Sequence, residues 1–387
     1  MRYGTSKSGL WRKAALASAI VACAQMAPFP LSTQRAAAEP SACPTFVPMF
    51  GLMPLLIKVG ILPKVAQAAT IAPADTADST VITADLGNQM QCGKTKLQKF
   101  ENITFSKQNL ENGKSSSLKL DILVPDDGKP HPLVIYITGG GFVVAPKEAA
   151  PDLRTYVAEA GFAVASIEYS TARDGATYKD GIEQVKAAVR FLRKNAQAYR
   201  IDAASVAIWG ESAGGYLAAM AGAANHVKLY DVGDNLDQSS AVQAVIVKFG
   251  ATDVSKIADD FDDQAKKALL TNEAIISYIG ADSTGKALDI RNASTAANPI
   301  TYITEDAPPF LILHGEKDAL ISPSQTEMLH EALLKHGAKS SRYIVAGANH
   351  GDLAFINDKQ SGLYWTSKDV MDVMLSFLNK FVKNDAK

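Results

Sequence analysis

The stretch that decides the fold runs Ser205-Val206-Ala207-Ile208-Trp209, then Gly210-Glu211-Ser212-Ala213-Gly214-Gly215, then Tyr216-Leu217-Ala218-Ala219-Met220. A short run rich in apolar residues reads as a buried strand, and the small-residue run after it reads as a helix. Between them stands Gly-x-Ser-x-Gly. The chain must turn sharply there, so the residues two before and two after the serine must lack bulk. Such a turn lifts the Ser212 hydroxyl out of the sheet. The helix behind it aims N–H groups and the positive end of its dipole at the same point.

Working outward, similar short runs recur. Ser117–Val124 alternates as a strand and stops at Pro125-Asp126-Asp127-Gly128. Leu133–Thr138, Phe162–Tyr169, Ala244–Phe249, Pro309–His314 and Arg342–Val345 read as strands buried on both faces. Between them, Ile182, Val185, Val189, Leu192 and Ala196 recur at helical spacing, as do apolar positions in Ser324–His336 and Lys368–Phe381. Gly161 and Gly337 stand where helix C-terminal glycines belong. Alternating strands and helices predict an α/β fold, a mostly parallel central sheet with helices on both faces. Ligands on such sheets sit at the carboxyl ends of the strands.

The strand ending at Thr138 runs into Gly139-Gly140-Gly141-Phe142. Glycines let backbone N–H groups approach a developing oxyanion closely. A serine nucleophile also needs a base, and the chain has six histidines. His131 precedes a strand and sits at the wrong end of the sheet. His226 is carried away by the helix after Ser212. His330 and His336 read as solvated helix residues. His314 closes a strand and reads as a core residue at the edge of the site. His350, in Gly347-Ala348-Asn349-His350-Gly351, follows the last strand and is the expected base. The carboxylate that orients it is expected to be Asp318, in His314-Gly315-Glu316-Lys317-Asp318, one strand away. Asp253, after the strand Ala244–Phe249, is the alternative and otherwise reads as a turn or helix cap. Phe142, Tyr169, Tyr216 and Phe355 are expected to line the substrate pocket because they neighbour these residues in the sequence.

With these motifs assembled, the chain resembles the α/β-hydrolase superfamily, in its bacterial esterase/lipase branch of hormone-sensitive-lipase-like and feruloyl- or acetyl-esterase-like enzymes. The resemblance covers roughly Phe100 to the C-terminus. It also rests on Tyr169-Ser170, Ile201-Asp202 and Asn349-His350-Gly351. It implies Ser212 as nucleophile, Asp318 as acid, His350 as base, and the N–H groups of Gly140, Gly141 and Ala213 as the oxyanion hole. The implied activity is hydrolysis of carboxylic esters through an acyl-enzyme, with no cofactor and no metal. Two departures stand out. Thr138 replaces the histidine usual before the three glycines. Glu211 replaces the aspartate common in the lipase-like branch, which favours the feruloyl- and acetyl-esterase side. The alternatives are an amidase or peptidase-type hydrolase, or a non-catalytic binding protein on the same fold. Peptidase relatives with an N-terminal propeller do not fit, because some sixty residues before the hydrolase region cannot build one.

Composition sets the remaining bounds. The 387 residues carry 39 Lys+Arg against 40 Asp+Glu, 47% hydrophobic residues and three cysteines. That is ample apolar content for a core, and the near-zero net charge gives no reason to expect nucleic acid. Residues 1–38 read as an export signal: Arg2, Lys7, Arg12 and Lys13 precede an apolar run from Ala14 to Ala27 that is too short to span a membrane. Cleavage after Ala36-Ala37-Ala38 would release a secreted or periplasmic protein. Ile20-Val21-Ala22-Cys23 resembles a lipobox, which would instead leave a lipid anchor at Cys23. Removing the five basic residues of 1–38 leaves 34 basic and 40 acidic residues, a net charge of −6. Cys43 and Cys92 then remain as a candidate disulfide.

Residues 39–98 read as an N-terminal extension, with an interrupted apolar stretch at 46–71 that suits a covering arm or a lid and a polar linker from Ala72 to Gly93. Residues 99–387 read as the catalytic domain. The segment 256–298 is a second lid candidate, and Asp259, Asp260, Asp262 and Asp263 within it read as a solvated acidic loop rather than a calcium site.

Overall fold

The computed structural model describes residues 42–44, 67–279, 295–351 and 360–383. The export-signal and lipobox expectations, most of the apolar stretch at 46–71, part of the second lid candidate and Phe355 therefore lie outside the described residues.

Nine strands form one sheet: β1 (Thr80–Ile82), β2 (Leu97–Asn109), β3 (Ser115–Pro125), β4 (His131–Ile137), β5 (Ala163–Ile167), β6 (Ile201–Glu211), β7 (Ala244–Lys248), β8 (Phe310–Gly315) and β9 (Ser340–Val345). Their order is β1-β9-β8-β7-β6-β4-β5-β3-β2. From β1 across to β5 all pairings are parallel, while β3 pairs antiparallel with both β5 and β2. The helices are α1 (Pro151–Glu159), α2 (Tyr178–Lys194), α3 (Ala213–Ala223), α4 (Asp263–Leu270), α5 (Glu273–Ile279), α6 (Ser324–Lys335), α7 (Ser361–Trp365) and α8 (Lys368–Phe381).

The continuous apolar runs have a direct cause. In β4, Leu133, Ile135 and Ile137 enter one core with α2, α3 and α6, while Val134 and Tyr136 enter the other with α1 and α8. Alternate side chains point to opposite faces, and helices cover both, so both faces are mostly apolar and a polar residue there needs a buried partner. Gly161 and Gly337 follow the C-caps of α1 and α6 with φ of 96° and 77°. This left-handed backbone is the one a C-terminal glycine supplies without strain.

The stretch at Ala72–Gly93, polar enough to read as a linker, belongs to the sheet. Its Thr80–Ile82 segment is β1, paired in parallel with Tyr343–Val345 of β9. Only Ile82 of the three is buried, so the segment shows β-branched residues but no apolar run among its polar neighbours. Upstream, the Ala68 and Ala72 N–H groups donate to the carbonyls of Ala319 and Asp260. A disulfide joins Cys43 to Cys92, with Cα atoms 4.7 Å apart. Among the described residues no helix is long and apolar enough to cross a membrane.

Candidate active site

The carboxyl ends of β6, β8 and β9 bring the sequence candidates together. Ser212 sits between β6 and α3 with φ 55° and ψ −122°, a left-side conformation that a non-glycine residue rarely adopts. The glycines around it account for the turn. A Cβ on Gly210 would lie 2.0 Å from the carbonyl oxygen of Gly214, and one on Gly214 would lie 2.1 Å from that of Ile137. The turn therefore closes only with glycine at both positions. The Ser212 N–H donates to the carbonyl of Lys248, and the Ser212 carbonyl accepts the Tyr216 N–H, which starts α3.

His350 Nε2 lies 2.8 Å from Ser212 Oγ, and His350 Nδ1 lies 2.8 Å from Asp318 Oδ2. Phe249 packs against the imidazole with ring centroids 4.6 Å apart, and Trp365 packs against Phe249. Asn349 Oδ1 accepts the N–H groups of both Ala319 and His350, joining the Asp318 loop to the His350 loop. Asp318 is fully buried. Its Oδ1 accepts the Leu320 and Ile321 N–H groups, and its Oδ2 lies 3.0 Å from His314 Nε2 as well as against His350. Burial pushes this carboxyl up, but the charge of His350 and the N–H bonds from both histidines outweigh it and hold it well below the usual carboxylate range.

The glycine run lies against Ser212. A Cβ on Gly139 would come within 3.0 Å of the Ser212 Cβ. Gly140, Gly141 and Phe142 follow with φ of 147°, 60° and 60°. The Gly140 carbonyl turns back to accept the Val143 and Val144 N–H groups. Thr138, in the place of the family histidine, gives its carbonyl to the Tyr169 hydroxyl at 3.1 Å.

Other expectations change. Phe142, Tyr169 and Tyr216 are core residues rather than an open pocket wall, each at most 4% exposed. Tyr216 donates its hydroxyl to the Ala297 carbonyl, and Phe142 stacks on Tyr278 of α5 at 4.6 Å. Tyr216, one helical turn beyond Ser212, points into the core, Phe142 packs beneath the glycine run and Tyr169 bonds back to Thr138. His330 is not solvated: it is buried with Nδ1 2.7 Å from Ser340 Oγ and Nε2 3.0 Å from the Asp78 carbonyl. Its partner residue 78 comes from the stretch read as a linker. His131 lies at the far end of β4 against Asp127, and His226 lies near the Asp306 carbonyl. Asp253 caps a short 3-10 helix through the Ser255 N–H and stands outside the Ser212–His350–Asp318 chain of bonds. In the acidic loop, Asp262 caps α4 and accepts the Ala69 and Thr70 N–H groups, Asp260 accepts the Ser324 N–H, and Asp259 pairs with Lys266. No group of side chains able to hold a metal ion occurs among the described residues.

Sequence reasoning missed what stands behind the serine. The Lys248 ammonium, fully buried, sits 2.6 Å from Glu211 Oε1, and Tyr136 donates its hydroxyl to Glu211 Oε2. Lys248 also lies 4.9 Å from the Trp365 ring centre. A lysine ending an apolar strand, opposite a glutamate next to the serine, was the available signal.

With this geometry in place, comparison with known proteins is informative. The BD-FAE family model matches residues 120–333, more than half of the chain. The chain belongs to the BD-FAE family. Relatives of this BD-FAE protein include the esterase LipQ of Mycobacterium tuberculosis, 31% identical over 59% of this chain and 52% of LipQ. A probable isoprenylcysteine alpha-carbonyl methylesterase of Arabidopsis thaliana is 23% identical over 70% of this chain and 56% of the relative. The chain thus spans about half the length of the curated relatives it matches. Among solved structures, a bifunctional GH43-CE protein of Bacteroides eggerthii aligns with a TM-score of 0.57 and 29% identity, covering 73% of this chain and 35% of that one. A carbohydrate esterase from gut microbiota, in truncated form, aligns with a TM-score of 0.56 and 24% identity, over 79% of this chain and 98% of that one. The second likeness speaks for the α/β-hydrolase fold alone.

Proposed function

We propose that this BD-FAE protein hydrolyses carboxylic esters, with Ser212, His350 and Asp318 as its catalytic triad. The observation that carries the reading is the unbroken chain of two 2.8 Å contacts from Ser212 Oγ through the His350 ring to the buried Asp318 carboxylate. His350 takes the Ser212 proton as Oγ attacks the ester carbonyl. Asp318 holds the imidazole with Nδ1 protonated and stabilises its positive charge. The N–H groups of Gly140, Gly141 and Ala213 receive the oxyanion. His350 then protonates the departing alcohol. Water, deprotonated by the same ring, attacks the acyl-enzyme and releases the acid with regeneration of Ser212.

The pressure of Gly139 against Ser212 supports the oxyanion assignment, since it brings the glycine backbone to the nucleophile. Names of the relatives, LipQ among them, support an ester rather than an amide as substrate. The Cys43–Cys92 disulfide supports the reading of residues 1–38 as an export signal, because disulfides persist in oxidising compartments.

The test is labelling with a fluorophosphonate probe, together with turnover of p-nitrophenyl acyl esters and matching anilides. Labelling at Ser212 with ester turnover is the expected result. A protein that cleaves anilides and leaves esters untouched, or that takes up no label, overturns the proposal.

A further inference from the structure

The triad does not end at Asp318. His314, on β8, is fully buried, and its Nε2 lies 3.0 Å from the same Asp318 oxygen that receives His350. The same Nε2 lies 3.1 Å from the Ile321 carbonyl. Both neighbours only accept, so Nε2 must carry the proton. The other nitrogen, Nδ1, lies 2.9 Å from Thr326 Oγ1.

The proton on Nε2 makes Nδ1 an acceptor in a neutral ring. Arg342 donates Nε–H to Thr326 Oγ1 at 3.3 Å and Nη2–H to the Pro323 carbonyl at 3.1 Å. Thr326 Oγ1 also lies 3.1 Å from the Pro323 carbonyl, so its proton has two acceptors within reach, and a His314 ring protonated at Nε2 offers Nδ1 as one of them. Arg342 is itself held by the Asp75 carbonyl and Ser79 Oγ, in the segment that leads into β1.

We infer that His314 is a positioning residue for the catalytic acid: its Nε2–H fixes the Asp318 carboxylate and shares the oxygen that His350 uses. The inference rests on the proposed triad. Asp318 then has two backbone N–H donors on Oδ1 and two ring nitrogens against Oδ2, with the His314 Nε2–H shared between Asp318 and the Ile321 carbonyl. The shared proton also draws carboxylate charge away from His350, which moderates how tightly the imidazolium is held. The charged and titratable groups facing this chain are His350 after β9, Arg342 on β9, and, acting on Arg342, Glu327, Glu331, Asp75 and Asp260.

Two measurements test it. The first is nitrogen-15 NMR of histidine-labelled wild-type protein, which reads tautomers without any substrate. Protonation of His314 at Nε2 is expected, and protonation at Nδ1 with a bare Nε2 overturns the inference. The second compares His314→Met with His314→Gln, two side chains of similar length and shape, of which only Gln brings an N–H to the Nε2 position. His314→Met is expected to lower kcat about tenfold with little change in KM. Its acid limb of kcat/KM should move up by roughly half a pH unit, because a less compensated carboxylate holds the imidazolium more tightly. His314→Gln should recover most of both changes. Equal losses in the two variants with an unmoved acid limb mean that His314 only fills space, and full activity in His314→Met also overturns the inference. A wild-type protein that cleaves no ester sinks the proposed function instead, and the NMR result still judges His314.

Discussion

Glu211 and the fully buried Lys248 form an ion pair directly behind Ser212, and the lysine carbonyl accepts the Ser212 N–H. One residue thus grips the strained turn through its backbone and its neighbour's side chain together. Lys248→Met leaves the partly buried Glu211 with only the Tyr136 hydroxyl. The expected cost is about 3–5 kcal/mol of stability, with a loss of ester turnover as the turn relaxes. Thermal unfolding and activity read both effects. The double variant Glu211→Gln/Lys248→Met should recover most of the stability, since no orphaned charge remains. A single variant as stable as wild type would show that the pair does not hold the turn.

Removal of the reacting groups should separate chemistry from folding. Ser212→Ala and His350→Ala are each expected to lower kcat by roughly 10³-fold or more with little change in melting temperature. Asp318→Asn should cost about 10⁴-fold, because the amide reverses the donor pattern that His350 Nδ1 requires. Asp253→Asn should leave kcat within about threefold, since Asp253 serves as a cap. The reverse ranking of the two aspartates in steady-state kinetics would refute the assignment of the acid.

Gly214→Ala probes the turn sterically. Its Cβ would meet the Ile137 and Thr138 carbonyl oxygens at 2.1 and 2.5 Å, both backbone atoms of the strand that leads into the glycine run. Relief requires separating α3 from β4, which moves Ser212 away from the oxyanion donors. The expected outcome is at least a hundredfold loss of kcat/KM, or failure to fold. Near-normal kinetics in a folded Gly214→Ala would contradict the close contact.

Glu183 gives a pH signature of stability away from the site. Burial, reinforced by the charges of Asp180 and Glu111, pushes its carboxyl from an ordinary 4.5 up to about 7. The folded state therefore holds this proton more tightly than the unfolded chain. The contribution is full below about pH 4.5 and is lost as pH rises through about 7. Glu183→Gln should therefore be more stable than wild type at pH 8, by roughly 1–3 kcal/mol, and should lose that advantage near pH 4. Denaturant unfolding at the two pH values checks it, and equal differences at both would reject it.

The strands that carry the site were legible in the sequence because helices bury them on both sides, which leaves continuous runs such as Leu133–Ile137. The edges were not. In β2 most side chains face solvent, so Leu97–Asn109 presents no apolar run, and β1 buries only Ile82. Within the site, strand-end position singled out Ser212, Asp318 and His350, because chain order and topology together leave few choices. The supports of those residues depend on how loops fold back. That His314 and Asp318 would meet was hidden in a four-residue spacing outside any helix. The burial of His330 depended on residue 78, 252 positions away.

The pairing of β1 with β9 sets where a usable fragment of this protein can begin. A chain started at residue 99, where the recognisable hydrolase sequence opens, would leave β9 paired only with β8 and turn the other side of Tyr343–Val345 into a bare hydrogen-bonding border. It would also take away the anchors of Arg342. Such a truncation invites self-association through that border, so an expression boundary at residue 99 falls 24 residues after Asp75, the first anchor of Arg342.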